Sequence, residues 1–430
     1  MIRRDSPFRA SLRLLGTRRF GIFWFASLLS NIGTWAQQVA QPWLLLTLGA
    51  SPFVLGLDAF AMGAPVLLLT LVGGALADRK DRRIVIAGFQ SIQMLCPIAI
   101  VLLILSGTVQ PWMIIVLSLI VGVTDALSMP SFQSIVPLIV GREQIATGIA
   151  LNSTQFNLSR ILGPAIAGVL MLKIGATGAF AISAASYLPF ILVAVWILPR
   201  GLATIRDSKR LDARTVLVDL QVIGRESTLG GGLLLVLTTS FLCAPIMTFC
   251  PLLIRATAHG GVEHFSAAVG AFGVGGLIGA TGLLAVDATR DRRRLALCGG
   301  IAYAVIVIAA TITQSLWAFP VVFGLAGIAM TVSSASANAM LQSLAPESLR
   351  GQTVSLFMLA MRGGSSAGSL LTGWSVAVLG VRTALLINGA IALLLLLTLA
   401  GPWLRARLPA ALGTADGIPK ETPRTPRFGI

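Results

Sequence analysis

The sequence predicts an all-α polytopic membrane protein with twelve transmembrane helices, and three observations predict it. Of the 430 residues, 56% are apolar and only 11% are charged, whereas soluble domains carry about 25% charged residues. Twelve stretches of mostly apolar residues follow one another along the chain, and each is long enough to cross a bilayer as a helix. Basic residues concentrate in alternate connections between these stretches. The composition excludes a soluble globule and a disordered chain.

The predicted spans are mostly bounded by charged residues, Gly or Pro. The first is far longer than the apolar core of a signal peptide and lacks a small-residue cleavage site, so we expect it to be retained as a helix. None has the alternating pattern of a barrel strand. The spans cover residues 20–48, 52–76, 84–106, 111–129, 145–172, 176–198, 230–254, 265–286, 295–313, 316–339, 351–377 and 382–404.

The basic residues orient these spans. With twelve spans both termini lie on one side, and the segments on that side hold 27 of the 32 Lys and Arg residues. The opposite connections hold Lys173, Arg255 and Arg382. Because cytoplasmic connections carry the excess of basic residues, we expect both termini in the cytoplasm. The net charge of +16 is then an orientation signal beside anionic membrane lipids, and no nucleic-acid partner is expected.

The longest internal polar stretch separates six spans from six. Similar strings recur across it: QSIVP at 133–137 matches QSLAP at 342–346, and Gly168 and Gly175 match Gly373 and Gly380. A duplicated chain is a known transporter plan, with the binding site near the midplane, although channels can duplicate as well. The predicted parts are a cytoplasmic N-terminal segment (1–19), two pseudo-symmetric six-helix halves (20–198 and 230–404), a cytoplasmic central loop (199–229) and a disordered cytoplasmic tail (405–430).

The connection between spans 2 and 3 carries the most specific motif. Residues 74–83 read GALADRKDRR, and this string resembles the loop 2–3 signature of the major facilitator superfamily. The ADRxDRR variant is similar to the branch that contains enterobactin-exporter-like and macrolide-efflux-like proteins. Two further segments resemble that branch, SNIGTWAQQVAQPW at 30–43 and NSTQFNLSRILGP at 152–164.

The resemblance implies the major facilitator fold and a secondary transporter. Such a transporter would export a small molecule, such as a drug or siderophore, across a bacterial cytoplasmic (inner) membrane by proton antiport and alternating access, and we expect it to act as a monomer. Asp78 would cap the start of span 11, and Arg79 or Arg82 would reach Asp125, latching the halves on the cytoplasmic side in the outward-open state. The residues of this predicted latch are Gly74, Asp78, Arg79, Arg82, Arg83 and Asp125.

Span 5 resembles the antiporter motif of the same superfamily. Gly163, Pro164 and Gly168 match that motif outright. Small residues at such spacings permit close helix packing, and proline permits a kink. This pattern favours export over import.

Four ionisable side chains lie inside predicted spans, where an unpaired charge costs about 2.5–3.5 kcal/mol. They are Asp58, Asp125, Arg160 and Arg362. We expect span 4 to end near Pro130, which puts Asp125 about five residues, or ~7.5 Å, from its inner end. This depth favours the latch over a direct pair with Arg160.

Each of these buried charges has two interpretations. Asp58 and Asp125 are candidate proton carriers, but Asp58 could instead be solvated near the headgroups. Arg160 and Arg362 indicate a cavity that accepts an anionic or oxygen-rich group. Alternatively, each arginine snorkels or bonds backbone carbonyls.

Amide side chains add to the candidate cavity. Gln37 and Gln41 are four residues apart and share one helix face, and a polar stripe on an apolar helix indicates a cavity lining. The alternative is that such side chains hold helices together through hydrogen bonds worth ~0.6 kcal/mol each. The candidate cavity residues are Asn31, Gln37, Gln38, Gln41, Asn157, Arg160, Asn338 and Arg362.

The alternative functions are an importer or lipid flippase of the same fold, a membrane enzyme, and a passive channel. An enzyme needs a clustered catalytic set, but the two histidines, His259 and His264, share one outer connection, so we expect no enzyme. The chain lacks a Walker motif, and its four cysteines lie in apolar spans as free thiols. No cofactor or metal is therefore predicted.

Overall fold

The computed structural model describes residues 7–198, 227–257, 260–286, 291–346 and 349–405, and these ranges are helical apart from short turns. A short amphipathic helix precedes the bundle. The predicted central loop and C-terminal tail lie almost entirely outside the described residues. The helices of the first half are α1 (Pro7–Leu15), α2 (Arg18–Thr47), α3 (Pro52–Arg79), α4 (Arg82–Leu105), α5 (Pro111–Ile139) and α6 (Ile145–Trp196).

The second half contains six long helices. Two of them, α7 and α11, include a π-helical turn, at Thr239–Cys243 and Leu359–Gly363. Such turns are rare and occur frequently at functional sites. The helices are α7 (Ser227–Arg255), α8 (Val262–Leu284), α9 (Arg292–Ile312), α10 (Phe319–Leu344), α11 (Arg350–Met358, Leu359–Gly363 and Gly364–Leu379) and α12 (Val381–Arg405).

The chain reverses direction within α6 at Gly175, whose φ is 68°. Gly380, between α11 and α12, has a φ of 80°. Both values lie in the region that favours glycine, and these are two of the glycines that the sequence repeat matched. Because α6 crosses the bundle twice, α2 to α12 make twelve crossings in the part of the chain that the structure describes, as predicted.

Nine segments of the described helices are long and apolar enough to span a membrane by themselves. Outside these segments lie α2, the part of α6 before Leu162, and α11. These three carry most of the candidate cavity residues. The crossings with the weaker apolar signal are therefore the ones that carry most of the candidate cavity residues.

The predicted end of span 4 is wrong. We placed it near Pro130, but α5 continues through Pro130 and Pro137 to Ile139. Proline is tolerated inside a membrane helix because neighbouring groups satisfy the freed backbone carbonyl. Asp125 therefore lies about 14 residues, or ~21 Å, from the end of α5 and not near it.

The two halves begin α4 and α9 in the same way. The Asp81 carboxylate accepts a hydrogen bond from the Arg83 backbone N–H at 3.0 Å, and the Asp291 carboxylate accepts one from the Arg293 N–H at 2.9 Å. Partial burial opposes ionisation of Asp291, but the hydrogen bonds and charge of Arg293 outweigh it and hold the pKa of that carboxyl below its usual range. Matching caps are what duplication predicts.

The halves contact each other mainly along two helix pairs, α3 with α11 and α6 with α8, with smaller contacts of α7 with α2 and α3. We call the end of the bundle at which α2 begins the terminal end, and the other the opposite end. One buried cluster spans both halves: it runs the length of the second half, but its first-half members, such as Trp43, lie only towards the opposite end. A second, which includes Phe23 and Phe190, lies within the first half towards the terminal end. The bundle is therefore closed at its opposite end.

Candidate functional site

An ion pair joins the two halves in the middle of the bundle. Arg362 Nη1 on α11 lies 2.6 Å from Asp125 Oδ2 on α5. Arg362 is about 12 residues, or ~18 Å, from the start of α11, which matches the depth of Asp125. Their side chains are 24% and 41% exposed, respectively. This partial exposure at mid-depth indicates that the pair borders a cavity.

This pair changes the sequence interpretation of both residues. In this conformation Asp125 does not bind Arg82, whose Nε donates to the Ala77 carbonyl at 3.3 Å within the first half. Asp125 also neutralises one of the two arginines that were predicted to attract an anion. The side chain of the other, Arg160, lies outside the described residues.

The π turn of α11 carries Arg362 and faces the π turn of α7. A side chain at Gly364 would meet Leu237 and Ser240, and one at Gly368 would meet the Phe241 carbonyl. The two irregular helices therefore pack closely beside the ion pair. Sequence reasoning missed both turns, because neither contains proline or another residue that specifies a π turn.

Asp58 lies in a buried polar cluster within the first half. Gln41 Nε2 donates to its Oδ1 and Oδ2 at 2.9 and 2.7 Å, and Ser118 Oγ donates to Oδ1 at 2.6 Å. Asp58 is only 4% exposed, which rules out the alternative that it is solvated near the headgroups. None of the described ion pairs includes Asp58. Sequence reasoning missed Ser118, which lies at the same depth on α5.

Gln37 and Gln41 share a helix face as predicted, but that face is packed against other helices. Gln37 accepts a hydrogen bond from Ser183 Oγ at 3.1 Å, and both glutamines are at least nine-tenths buried. In this conformation the two glutamines hold helices together and do not line a cavity, an outcome that the sequence alone does not distinguish. The reason is that burial against a neighbouring helix and burial in a cavity produce the same polar stripe.

The other candidate amides differ from Gln37 and Gln41 in their contacts and exposure. Asn31 Nδ2 donates to the Ser27 carbonyl of its own helix at 2.9 Å. Gln38 is half-buried, next to the packed face of α2. Asn338 accepts a hydrogen bond from Gln342 at 2.9 Å on an accessible part of α10. The side chain of Asn157 lies outside the described residues.

The structure describes only part of the predicted latch. The side chains of Asp78 and Arg79 lie outside the described residues. Arg83 Nη1 donates to the Val195 carbonyl at 2.9 Å, within the first half. Gly74 has open space around it, whereas a Cβ at Gly73 would lie 2.6 Å from the Ala126 carbonyl. The close helix approach thus occurs at Gly73, and the latch stays a prediction.

The small residues of α6 pack closely against neighbouring helices. A side chain at Gly163 would meet Trp35 of α2, and one at Gly168 would lie 2.6 Å from the Ser266 carbonyl of α8. Pro164 lies inside α6. Gly168 therefore allows the first half to approach the second.

An aromatic and basic clamp closes the opposite end. The Arg255 guanidinium of α7 lies 5.2 Å from the ring centroid of Trp43 on α2, and Trp43 stacks on Phe265 of α8 at 5.1 Å. Arg255 Nη1 also donates to the Leu46 carbonyl at 3.3 Å. Sequence reasoning counted Arg255 only as a basic residue of an outer connection.

No group of three or more His, Cys, Asp or Glu side chains in the described ranges could hold a metal ion. The cysteines are free thiols; Cys96, Cys243 and Cys250 are buried, and Cys298 is exposed.

A family model described as "transmembrane secretion effector" matches residues 9–426, which is nearly the whole chain. The chain belongs to this family of the major facilitator superfamily. It is therefore an integral membrane protein and a secondary transporter, and not an enzyme.

Relatives of the transporter are bacterial. It is 27% identical to the staphyloferrin A transporter of Staphylococcus aureus over 60% of this chain, and the match spans 64% of that protein's length. It is 25% identical to the multidrug efflux pump Tap of Mycolicibacterium fortuitum, over 81% of this chain and 87% of Tap. It is 22% identical to macrolide efflux protein A of Streptococcus pyogenes, over 87% of this chain and 93% of that protein.

Solved structures share the fold of the transporter. The nucleoside transporter NupG superposes with a TM-score of 0.71 at 12% identity, covering 90% of this chain and 99% of NupG. An inward-facing bacterial homologue of the lysosomal transporter Spinster superposes with a TM-score of 0.69 at 16% identity, covering 94% and 98%. These likenesses confirm the predicted major facilitator fold.

Proposed function

We propose that the transporter exports a small molecule from the bacterial cytoplasm by alternating access, in exchange for protons. The observation that carries this proposal is the ion pair between Asp125 and Arg362. It joins the halves at the depth where this transporter architecture holds its substrate. Each side chain is partly accessible, so a substrate entering between the halves can compete for either charge.

The proposed orientation puts the terminal end in the cytoplasm. The asymmetry of the basic residues supports it, since 27 of the 32 Lys and Arg residues belong to that side. With this orientation the conformation described here is inward-facing, because the closed end faces away from the cytoplasm. An exporter collects its substrate in this state.

Asp58 is the proposed proton site. Its carboxylate accepts hydrogen bonds from Gln41 on α2 and Ser118 on α5, about six residues, or ~9 Å, from the start of α3 at the opposite end. Proton uptake there removes a charge that no described ion pair neutralises, and a buried charge is costly without a partner.

Export is favoured by the relatives, two of which are named efflux proteins. The small residues Gly163, Pro164 and Gly168 of α6 support the same direction. The proposed substrate is a small organic molecule. An importer or a flippase of the same fold would reverse or alter the direction of net flux.

Reconstituted transport tests this proposal. A labelled macrolide and labelled staphyloferrin A are the probes, and proteoliposomes with an acidic lumen provide the gradient. We expect saturable accumulation of one probe that collapses when a protonophore removes the pH gradient. Accumulation that is saturable but independent of the gradient would contradict proton coupling. Flux that never saturates would contradict a carrier altogether.

A further inference from the structure

An apolar groove opens on the outside of the bundle beside the start of α2. It has a volume of about 530 Å³ and lies between α2, the end of α1 and the second crossing of α6. Its wall is formed by Ile22, Phe25 and Leu29 of α2 and by Pro189 and Val193 of α6. Three of these side chains, Ile22, Phe25 and Leu29, are 40–57% exposed. The groove is thus an apolar surface that the protein itself leaves uncovered.

The rim of the groove is basic. Arg18 lines its terminal end, and Arg19 follows it; both side chains are exposed. The turn between α1 and α2 shapes this end, because a Cβ at Gly21 would meet the Leu15 carbonyl. An apolar channel with arginine at its mouth matches a molecule with an acyl chain and an anionic headgroup.

The length of the groove also matches a lipid. Arg18 and Leu29 are about 11 residues apart, so the groove runs ~16 Å along the helix. This is about half of the ~30 Å hydrocarbon thickness of a bilayer. The groove therefore reaches from the headgroup level to the middle of the membrane, the depth of one leaflet.

A second groove supports the same occupant. It flanks the other side of the α6 crossing with a volume of about 280 Å³, and Ile191 and Val195 of α6 line it. Arg83 lies in this groove, but its Nη1 already donates to the Val195 carbonyl at 2.9 Å. Arg18, at the rim of the larger groove, has more hydrogen-bond donors free than Arg83 has. The larger groove is therefore the better lipid site.

We propose that the larger groove binds one anionic glycerophospholipid, with an acyl chain along α2 and the phosphate at Arg18 and Arg19. This site lies on the outer surface of the first half, and lipid binding there does not depend on the direction of transport. Bound lipid would fix the packing of α1 and α2 on α6, the helices that form the groove.

Native mass spectrometry of the purified full-length chain tests this site, with phosphatidylglycerol and phosphatidylcholine of identical acyl chains as probes. We expect one tightly retained phosphatidylglycerol and weaker retention of phosphatidylcholine. Arg18→Gln should weaken phosphatidylglycerol binding about fivefold, the factor that corresponds to about 1 kcal/mol for one basic residue at an anionic lipid surface. Arg294→Gln is the matched control, since Arg294 is also exposed and lies at the start of α9, away from the groove.

A second variant tests the apolar part of the groove without changing charge. Ile22→Trp should fill the groove and reduce retention of phosphatidylglycerol, whereas Val378→Trp, on an exposed position of α11, should not. Equal retention of both lipids by the wild type would overturn the proposal. So would an Arg18→Gln variant that binds phosphatidylglycerol as well as Arg294→Gln does.

Discussion

Arg362 Nη1 and Asp125 Oδ2 lie 2.6 Å apart and connect the second half of the transporter to the first at mid-depth. Each charge alone would cost about 2.5–3.5 kcal/mol at the centre of a bilayer. Together they compensate each other, so the pair stabilises the conformation in which the halves meet. A conformation that separates α5 from α11 has to supply each residue with water, a proton or the substrate as its new partner.

Asp58→Asn should abolish transport driven by a pH gradient. Asparagine keeps the size of the side chain but cannot take up and release a proton. We expect gradient-driven accumulation of the transported probe in proteoliposomes to fall at least tenfold, while exchange of labelled for unlabelled probe without a gradient continues.

Ser118→Ala is the matched control for this variant. It removes one hydrogen bond to the carboxylate, which is worth about 1.5–3 kcal/mol when one partner is charged, but it leaves the proton-accepting group in place. Gradient-driven transport should persist at a reduced rate. Wild-type accumulation by Asp58→Asn would show that the proton binds elsewhere.

Gly56→Val should open the opposite end. A Cβ at this position would meet the Ser369 carbonyl of α11 and lie 3.1 Å from the Gly373 Cα. Backbone atoms cannot rotate away, so the clash is relieved only by separating α3 from α11. Spin labels at exposed Ser51 and Leu379 would report this as a longer inter-label distance.

Gly282→Val provides the comparison, because a Cβ at Gly282 meets nothing within 4 Å. Gly282→Val changes helix propensity by the same amount as Gly56→Val. The distance between the two spin labels should nevertheless remain that of the wild type. An unchanged distance in Gly56→Val would mean that α3 and α11 do not control closure.

Arg255→Gln should weaken the clamp at the opposite end. It removes the cation–π contact with Trp43, worth about 0.5–1 kcal/mol at an exposed site, together with the charge-assisted bond to the Leu46 carbonyl. The same spin-label pair should show the open population rising about two- to fivefold. Truncating Trp43 is a less specific test, because losing a buried tryptophan destabilises the fold by itself.

Arg382→Gln is a control at the same end of the bundle. Arg382 donates to the Thr257 hydroxyl at 2.8 Å and to the Thr311 and Thr313 carbonyls, all within the second half. This variant should lower the unfolding temperature without changing the distance distribution. If it opens the bundle as much as Arg255→Gln does, the clamp at Trp43 has no special role.

Much of the fold could be predicted from the sequence because membrane crossings are specified by length and hydropathy. The twelve crossings and the matched glycines follow from such one-dimensional signals. Gly168 and Gly373 lie in matching positions and each contacts the other half, Gly168 through Ser266 and Gly373 through the Pro52 carbonyl. The sequence shows that these two residues are small, but it does not show which residues of the other half they contact.

The candidate site was harder to predict, because it depends on depth and on neighbours. With Pro130 as the helix end, the predicted distance from Asp125 to the end of α5 is about nine residues, or ~13 Å, too short. With the correct depth, Arg362 becomes the matching partner. The clamp of Arg255 on Trp43 joins residues from different halves, and no local pattern marks such a contact.

The central claim is that Asp125 and Arg362 form an ion pair on which transport depends, and charge reversal tests it most directly. Accumulation of the transported probe would be measured in proteoliposomes containing Asp125→Arg, Arg362→Asp, the double reversal and the wild type, after confirming equal amounts of monodisperse protein. The account predicts that each single reversal lowers the initial rate at least tenfold, about 1.4 kcal/mol, and that the double reversal recovers a substantial part of it. Single reversals that transport at the wild-type rate would contradict the account.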